Sequence, residues 1–203
     1  MSSVRRSRIA PTVAIVSLLA LVALGMAVGA RSASHSALRA AKACGATVRV
    51  TDHEKFVVNQ YVQDAMRFAP GTATVRSGCD LTFRFATSDQ DDPHSLSIVR
   101  ESDLPKTTAE MESCKVCKLI KPKHVGDPST PAGPKNPILH WIVNAGKTGL
   151  DAPGDSLAIF ENQAKGAPPD HGSITVRVSA PPNTTLYFMC GLHPWMQGKI
   201  RVT

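Results

Sequence analysis

The sequence predicts an all-β protein folded as a Greek-key β-sandwich. Short segments in which apolar and polar residues alternate recur along the chain, and clusters of Gly, Pro and Asn separate them. Sustained helical periodicity is rare, and roughly 160 residues can bury one hydrophobic core but not two. We therefore expect a single folded domain over residues 44–203, with strands that pair antiparallel.

Alternation places the individual strands, and turn signals such as Pro70-Gly71 and Ser77-Gly78 separate them. The first predicted strand, for example, puts Val48 and Val50 on one face. In chain order the predicted strands are Thr47–Thr51, Lys55–Val58, Thr72–Val75, Leu81–Ala86, His94–Val99, Ile138–Val143, Ser156–Phe160, Ser173–Val178, Thr185–Met189 and Lys199–Val202. Between the second and third of these, Asn59–Phe68 is predicted to hold at most a helical turn.

The N-terminus has the pattern of an export signal. Three arginines at positions 5, 6 and 8 precede residues 12–30, an uncharged run rich in Leu, Val and Ala that ends in small residues. The run is also about long enough to span a bilayer, so residues 1–30 form either a cleaved signal peptide or a membrane anchor. Both alternatives place the domain outside the cytoplasm, in the periplasm, at the cell surface or secreted. Residues 31–43 are predicted to be a linker.

The charge of the chain argues against nucleic-acid binding. The formal net charge is +7, and three of the arginines lie in residues 1–30, which carry no acidic residue, so the rest of the chain has +4. Aromatic residues make up 5% of the chain, and no basic helix is predicted. One dense group of lysines stands out, and it is either a solvated surface or a docking surface for an acidic redox partner. Its members are Lys115, Lys118, Lys121 and Lys123.

A metal-binding motif lies near the C-terminus. Cys190, His193 and Met196 follow the spacing C-x-x-H-x-x-M, which puts a thiolate, an imidazole and a thioether on one loop. Soft sulfur combined with imidazole selects copper, and a trigonal His₂Cys site with a long axial Met is typical of blue-copper proteins. The second histidine is predicted to be His94, because it opens a strand-like segment. His140 is the main rival, but we expect it to lie within a packed strand.

With these residues the chain resembles the cupredoxins, in particular amicyanin and plastocyanin. The C-x-x-H-P-(aromatic)-M loop, followed by Gly and a short strand, is especially similar to that of amicyanin. The resemblance covers about residues 45–100 and 137–203 and implies a cupredoxin-like sandwich with one type 1 copper centre. The copper ligands that it implies are His94, Cys190, His193 and Met196.

The resemblance also implies roles for neighbouring residues. Pro194 and Trp195 are expected to form part of the surface through which electrons pass. Ser95 and Gly191 are expected to lie beside the ligands. Many family members carry Asn at the position of Ser95, where it ties the two ligand loops together, and Ser reaches less far. Hydrogen bonds around the Cys sulfur tune the reduction potential, so this departure leaves the potential open.

Residues 101–136 break the strand pattern. The segment is rich in Lys and Pro, lacks sustained periodicity and separates the first ligand strand from the rest of the domain. We therefore expect an irregular insertion, appended to the sandwich and separate from its core.

The five cysteines divide into one ligand and four others. With Cys190 assigned to copper, three pairings remain open for the rest in an oxidising compartment. We favour Cys44–Cys79 together with Cys114–Cys117. The alternatives for the Cys114-x-x-Cys117 motif are a redox dithiol or a second metal site that includes His124 or Met111. A single CxxC is weak support for zinc.

Three classes of function could use a copper site. The first, which we favour, is an electron carrier that passes single electrons between protein redox partners by cycling between Cu(II) and Cu(I). The second is a copper carrier or store that delivers copper to an extracytoplasmic or membrane cuproenzyme. The third is a copper enzyme, which the sequence disfavours because it has no His-x-His motif and the C-terminal loop has a single Cys. We expect a monomer that is not an enzyme.

Overall fold

The computed structural model describes residues 44–203 with the exception of 88–91, 128, 131, 132, 134 and 161–171. The predicted leader at 1–30 and linker at 31–43 lie outside the described residues, as do His35 and His171. None of the helices within the described ranges combines the length and the apolar character needed to cross a membrane.

Strands dominate the described residues. The strands are β1 Ala46–Thr51, β2 Glu54–Val57, β3 Tyr61–Asp64, β4 Arg67–Ala69, β5 Thr72–Val75, β6 Asp80–Phe85, β7 His94–Val99, β8 Ile142–Val143, β9 Ser156–Ile159, β10 Ser173–Arg177, β11 Thr185–Met189 and β12 Gln197–Val202. The α-helices are short and comprise α1 Thr108–Glu112, α2 Lys115–Ile120 and α3 Ala145–Thr148. Glu101–Asp103 and Lys121–Lys123 form 3₁₀ turns.

The strands form two stacked sheets and one separate hairpin. The smaller sheet has the order β10-β6-β1-β4, the larger sheet has the order β5-β12-β11-β7-β9-β8, and β2 pairs with β3 alone. The predicted all-β Greek-key sandwich is confirmed. The expectation of purely antiparallel pairing is wrong, since β1 runs parallel to β6 and β5 runs parallel to β12. These partners are distant in sequence, and local alternation carries no information on their relative direction.

The core lies between the two sheets. In β6, Leu81, Phe83 and Phe85 are buried while the residues between them are more exposed. Phe188 of β11 meets them from the larger sheet and is fully buried. Each such side chain contributes about 1.5–3 kcal/mol on burial. This alternation is the physical reason that most predicted strands match the observed ones within one or two residues.

The insertion covers the outer face of the larger sheet. Every residue of β7 is buried. Ile98 contributes to the core between the sheets, whereas Val99 packs on the insertion side with Cys117 and Ile120. As expected, no described residue of 101–136 belongs to the core between the sheets, but the expectation that residues 101–136 are irregular is wrong. They contain α1, α2 and two 3₁₀ turns, and α1 begins with a capping box in which Thr107 and Glu110 cap each other.

Two further local predictions are wrong. Asn59–Phe68 holds no helical turn, because Tyr61–Asp64 forms β3 and pairs with β2 in a projecting hairpin. The predicted strand Ile138–Val143 is reduced to its last two residues, with an isolated bridge at Ile138. His140 is consequently exposed and outside any strand, where a packed position was expected.

Candidate metal centre

The strand pair β11–β12 holds the loop that carries the C-terminal motif. Met189 at the end of β11 faces Gln197 at the start of β12, and this pair fixes both ends of residues 190–196, the ligand loop. The backbone N–H of Cys190 donates to the carbonyl of Met196 at 3.0 Å, and the N–H of Met196 donates to the carbonyl of His193 at 2.9 Å. These bonds close the loop into a compact turn that carries its three donor side chains.

His94 reaches the same place from the neighbouring strand. It is the first residue of β7, which pairs antiparallel with both β11 and β9. The side chain of His94 is 1% exposed, and its ring meets the edge of the Phe85 ring at a centroid distance of 5.8 Å. The strand therefore presents a buried and sterically restrained imidazole to the ligand loop.

The nitrogen and sulfur atoms of three predicted ligands converge. Cys190 Sγ lies 3.7 Å from Nδ1 of His193 and 3.9 Å from Nδ1 of His94, and the two Nδ1 atoms are 3.1 Å apart. With metal–sulfur and metal–nitrogen bonds of about 2.3 and 2.0 Å, a trigonal ion would separate Sγ from Nδ1 by about 3.7 Å and the two nitrogens by about 3.5 Å. The observed triangle fits such an ion with a slightly narrow angle between the histidines.

The electrostatics of the triangle favour a thiolate. Burial raises the pKa of the Cys190 thiol, but hydrogen bonds and Coulombic attraction from His193 and His94 outweigh burial and hold the pKa well below its ordinary value. Burial lowers the pKa of His193, but the hydrogen bond to Cys190 and the negative charge of its thiolate raise this pKa above the ordinary value. Asp92 and Asp64 raise the pKa by smaller amounts. The thiolate is the form of cysteine that binds metals.

Met196 and the residues beside the ligands complete the site. Met196 is 1% exposed and ends the ligand loop. Ser95 does tie the two ligand segments together despite its short side chain: its Oγ accepts from the N–H of Gly191 at 2.8 Å, and its own N–H donates to Cys190 Sγ at 3.3 Å. A hydrogen bond to the sulfur stabilises the charged form and is expected to affect its electronic character.

One edge of the site reaches the surface. His193 and Pro194 are half-buried, and Trp195 is 42% exposed. The Trp195 ring lies 5.3 Å from the His193 ring, and its Nε1–H donates to the carbonyl of Met66 at 3.2 Å. The predicted surface residues therefore do lie beside the histidine that is nearest to solvent.

The other cysteines form two disulfide bonds. Cys44 pairs with Cys79 and Cys114 pairs with Cys117, which is the pairing that the sequence favours. The disulfide leaves Cys114 and Cys117 without thiols for a metal, and His124 is hydrogen-bonded elsewhere, so the alternative of a second metal site is wrong. The alternative of a redox dithiol stays a prediction, because a disulfide is the oxidised form of such a pair. The four clustered lysines, Lys115, Lys118, Lys121 and Lys123, are all exposed.

Sequence reasoning did not predict the structural role of three residues near the site, although it named His124 as a possible metal ligand. His124, Ser97 and Ser156 are buried and hydrogen-bonded to one another on the outer face of the larger sheet. The available signal was the pair of serines in the first ligand strand, since Ser95 and Ser97 fall on one face of a segment that is otherwise apolar.

The chemistry of the donors fits a type 1 copper centre. Two imidazole nitrogens and a thiolate face one another in a buried position, where a single metal ion can bind all three. Among the described residues, His94, Cys190 and His193 are the one group of His, Cys and acidic side chains with such convergence. The addition of a thioether from Met196 gives the His₂CysMet set that selects copper over harder cations.

The solved structures to which this chain is similar include several cupredoxins. No protein-family model and no curated protein sequence matches the chain. A purple cupredoxin from Nitrosopumilus maritimus matches at 11% identity over 78% of this chain and 99% of its own, with a TM-score of 0.38. Auracyanin from Roseiflexus castenholzii matches at 16% identity over 79% and 98%, also with a TM-score of 0.38. Plastocyanin from Dryopteris crassirhizoma matches at 15% identity over 69% and 91%, with a TM-score of 0.32.

Proposed function

We propose that the protein is an extracytoplasmic electron carrier with one type 1 copper ion held by His94, Cys190, His193 and Met196. The observation that carries this proposal is the buried triangle of two imidazoles and a thiolate at 3.1–3.9 Å. Copper bound there would supply a one-electron couple between Cu(II) and Cu(I). The proposal is for a carrier and not an enzyme, in keeping with the absence of His-x-His motifs from the sequence.

The protein contributes a rigid and partly accessible set of donors. Cys190 loses its proton before it binds, and the two histidines lower the cost of that loss. His94 is fixed by β7, whereas His193 lies at the protein surface beside Trp195. A short path from the site to solvent at His193 suits electron exchange with a protein redox partner that docks over this edge.

Location outside the cytoplasm is also part of the proposal. The arginines and apolar run at residues 1–30 have the pattern of an export signal or anchor. Two disulfide bonds support the same compartment, because disulfides persist in oxidising environments.

Copper titration with visible spectroscopy tests the proposal. The wild-type protein should bind one Cu(II) per chain with an intense thiolate-to-copper charge-transfer band and should show a reversible one-electron potential. Cys190→Ala should abolish the band entirely. Met196→Leu should keep the band and raise the potential, because a donor that stabilises Cu(II) is lost.

His140→Ala is the matched control, since its side chain is exposed and does not belong to the converging group of donors. It should behave as the wild type. A band that survives Cys190→Ala would refute the ligand assignment. A wild-type protein that binds Cu(I) tightly but never becomes coloured with Cu(II) would favour the copper carrier.

A further inference from the structure

Three serines lie buried on the outer face of the larger sheet, beneath the insertion. Ser95 and Ser97 belong to β7 and Ser156 belongs to β9, and each is at most 3% exposed. Ser97 is paired directly with Ser156 across the two strands, which places both side chains on the same face. Buried hydroxyl groups without partners would cost about 1–3 kcal/mol each, so their hydrogen bonds matter for the fold.

The serines and His124 form one continuous chain of hydrogen bonds. Ser95 Oγ lies 3.0 Å from Ser97 Oγ, and Ser97 Oγ lies 2.6 Å from Ser156 Oγ. Ser156 Oγ in turn lies 2.7 Å from Nε2 of His124. At the other end Ser95 Oγ accepts from the N–H of Gly191. The chain therefore links the insertion to the ligand loop.

The backbone carbonyl of His140 fixes the direction of this chain. It lies 2.6 Å from Nδ1 of His124, and a carbonyl can only accept, so Nδ1 carries a proton. In a neutral ring Nε2 is then an acceptor, and Ser156 donates to it. By the same reasoning Ser97 donates to Ser156, and Ser95 donates to Ser97.

The neutral ring is favoured by its surroundings. His124 is 4% exposed. Burial lowers the pKa of His124, and the nearby Lys123 and His140 add a smaller lowering, against the opposing hydrogen bond to the His140 carbonyl. The chain therefore has one orientation at neutral pH.

The orientation matters at the ligand loop. The Ser95 hydroxyl donates onward along the chain, and a hydroxyl that donates is a stronger acceptor, so its bond from the Gly191 N–H is strengthened. The N–H of the same serine donates to Cys190 Sγ at 3.3 Å. Ser95, which ends the hydrogen-bond chain at the ligand loop, is thus also the residue whose N–H contacts the thiolate sulfur.

We propose that His124 is a positioning residue for the metal centre, which orients the serine chain and thereby holds the Cys190–Gly191 backbone against Ser95. The effect on bound copper rests on the proposed function, whereas the hydrogen bonds are a property of the metal-free protein as well. A residue of the insertion thus acts on the ligand loop through the outer face of the sheet.

Two substitutions of His124 separate orientation from packing. His124→Asn keeps a donor in the place of Nδ1 for the His140 carbonyl but removes the acceptor for Ser156. His124→Gln places an amide oxygen near the position of Nε2, where it can still accept from Ser156. Ser156→Ala breaks the chain in the middle by the loss of one atom. Thr82→Val is the matched control, because Thr82 Oγ1 forms a hydroxyl–hydroxyl bond of 2.9 Å with Thr175 in the smaller sheet.

The first measurement is amide hydrogen exchange in the metal-free protein. Exchange at Gly191 should accelerate about fivefold or more in His124→Asn and Ser156→Ala, and should stay near the wild-type rate in His124→Gln and Thr82→Val. Val178, whose N–H donates to the Cys79 carbonyl at the far side of the sandwich, serves as the reference amide. The second measurement is the charge-transfer band and reduction potential of the copper-loaded variants. Both should shift in His124→Asn and Ser156→Ala and stay near the wild-type values in His124→Gln and Thr82→Val.

The outcomes are distinct. Unchanged exchange at Gly191 in His124→Asn and Ser156→Ala would overturn the proposal. Equal acceleration at Gly191 and Val178, or equal effects of the Asn and Gln variants, would also overturn it, since His124 would then act by packing alone. If the variants show the expected exchange pattern but the wild-type protein shows no copper band, the hydrogen-bond chain is supported and the proposed function is refuted.

Discussion

The ligand loop and the insertion meet at the metal centre by different means. The ligand loop, residues 190–196, supplies three donor side chains within one turn that its own backbone bonds close. The insertion, residues 101–136, supplies none of the proposed donors. Ile120 packs against Gly191 of the loop, whereas His124 is linked to Gly191 only indirectly, through hydrogen-bonded serines of β9 and β7.

The two regions depend on different kinds of contact, which are local in sequence for the ligand loop and distant in sequence for the insertion. The donors of the ligand loop depend on spacing along the chain, so they are set by the local sequence. The contribution of the insertion depends on which residues of β7 and β9 face outward, and therefore on the register of the sheet.

The largest expected effect distinguishes the disulfide of the insertion from that of the sandwich. Cys44–Cys79 ties the start of the sandwich together across a sequence separation of 35, whereas Cys114–Cys117 closes a separation of 3 in the insertion. Loop-closure entropy predicts that replacement of both cysteines by Ala lowers the free energy of unfolding by about 4 kcal/mol for the first pair and about 2 kcal/mol for the second. Urea denaturation of metal-free protein measures both. Equal losses would mean that native packing, and not chain entropy, dominates.

Contact between the two regions is tested next by Gly191→Ala. A Cβ at this position would lie 2.7 Å from Cγ2 and 3.2 Å from Cβ of Ile120. Relief of the contact requires a χ1 rotation that moves Cγ2 and a backbone shift of α2 that moves Cβ. We expect a loss of about 1–3 kcal/mol in the free energy of unfolding. Ile120→Ala removes the obstacle, so the double variant should lose less than the sum of the single variants, with a coupling of about 0.5–3 kcal/mol.

Gly71→Ala is the control for that cycle, because no atom lies within 4 Å of its added Cβ. It should change stability little. Strict additivity of Gly191→Ala and Ile120→Ala would show that the insertion does not press on the ligand loop in solution.

The same division explains what the sequence could predict. The spacing of three ligands alone specifies a soft metal site, so the sequence could predict Cys190, His193 and Met196. The bounds of β5, β7 and β11 match the prediction because burial along these strands alternates or is continuous. His94 followed from its place at the start of β7.

The insertion resisted prediction for physical reasons. Helices α1 and α2 have five and six residues, which is too short for a period of 3.6 to repeat. The capping box stabilises α1, and burial against Val99 and Met189 stabilises α2. The packing contacts of α2 are not visible in the local sequence. His124 could not be assigned because its partner Ser156 lies 32 positions away. The exposure of His140 likewise follows from tertiary contacts of its neighbours.

The smallest expected effect is a pH dependence that belongs to the insertion. Because the pKa of His124 is lowered in the folded protein, the unfolded chain binds this proton first as pH falls below about 6.5. Stability conferred by the neutral ring is thus present above that pH and is lost as pH falls towards the folded pKa, by at most about 1.4 kcal/mol per pH unit. His124→Asn cannot titrate in this range, so its deficit relative to the wild type should shrink between pH 7.5 and pH 5. Denaturation of both metal-free proteins across this range measures the difference, in which the titration of Cys190 and His193 cancels. A deficit that stays constant with pH would show that the His124 ring takes up its proton equally well in both states, and that its burial beneath the insertion is incomplete in solution.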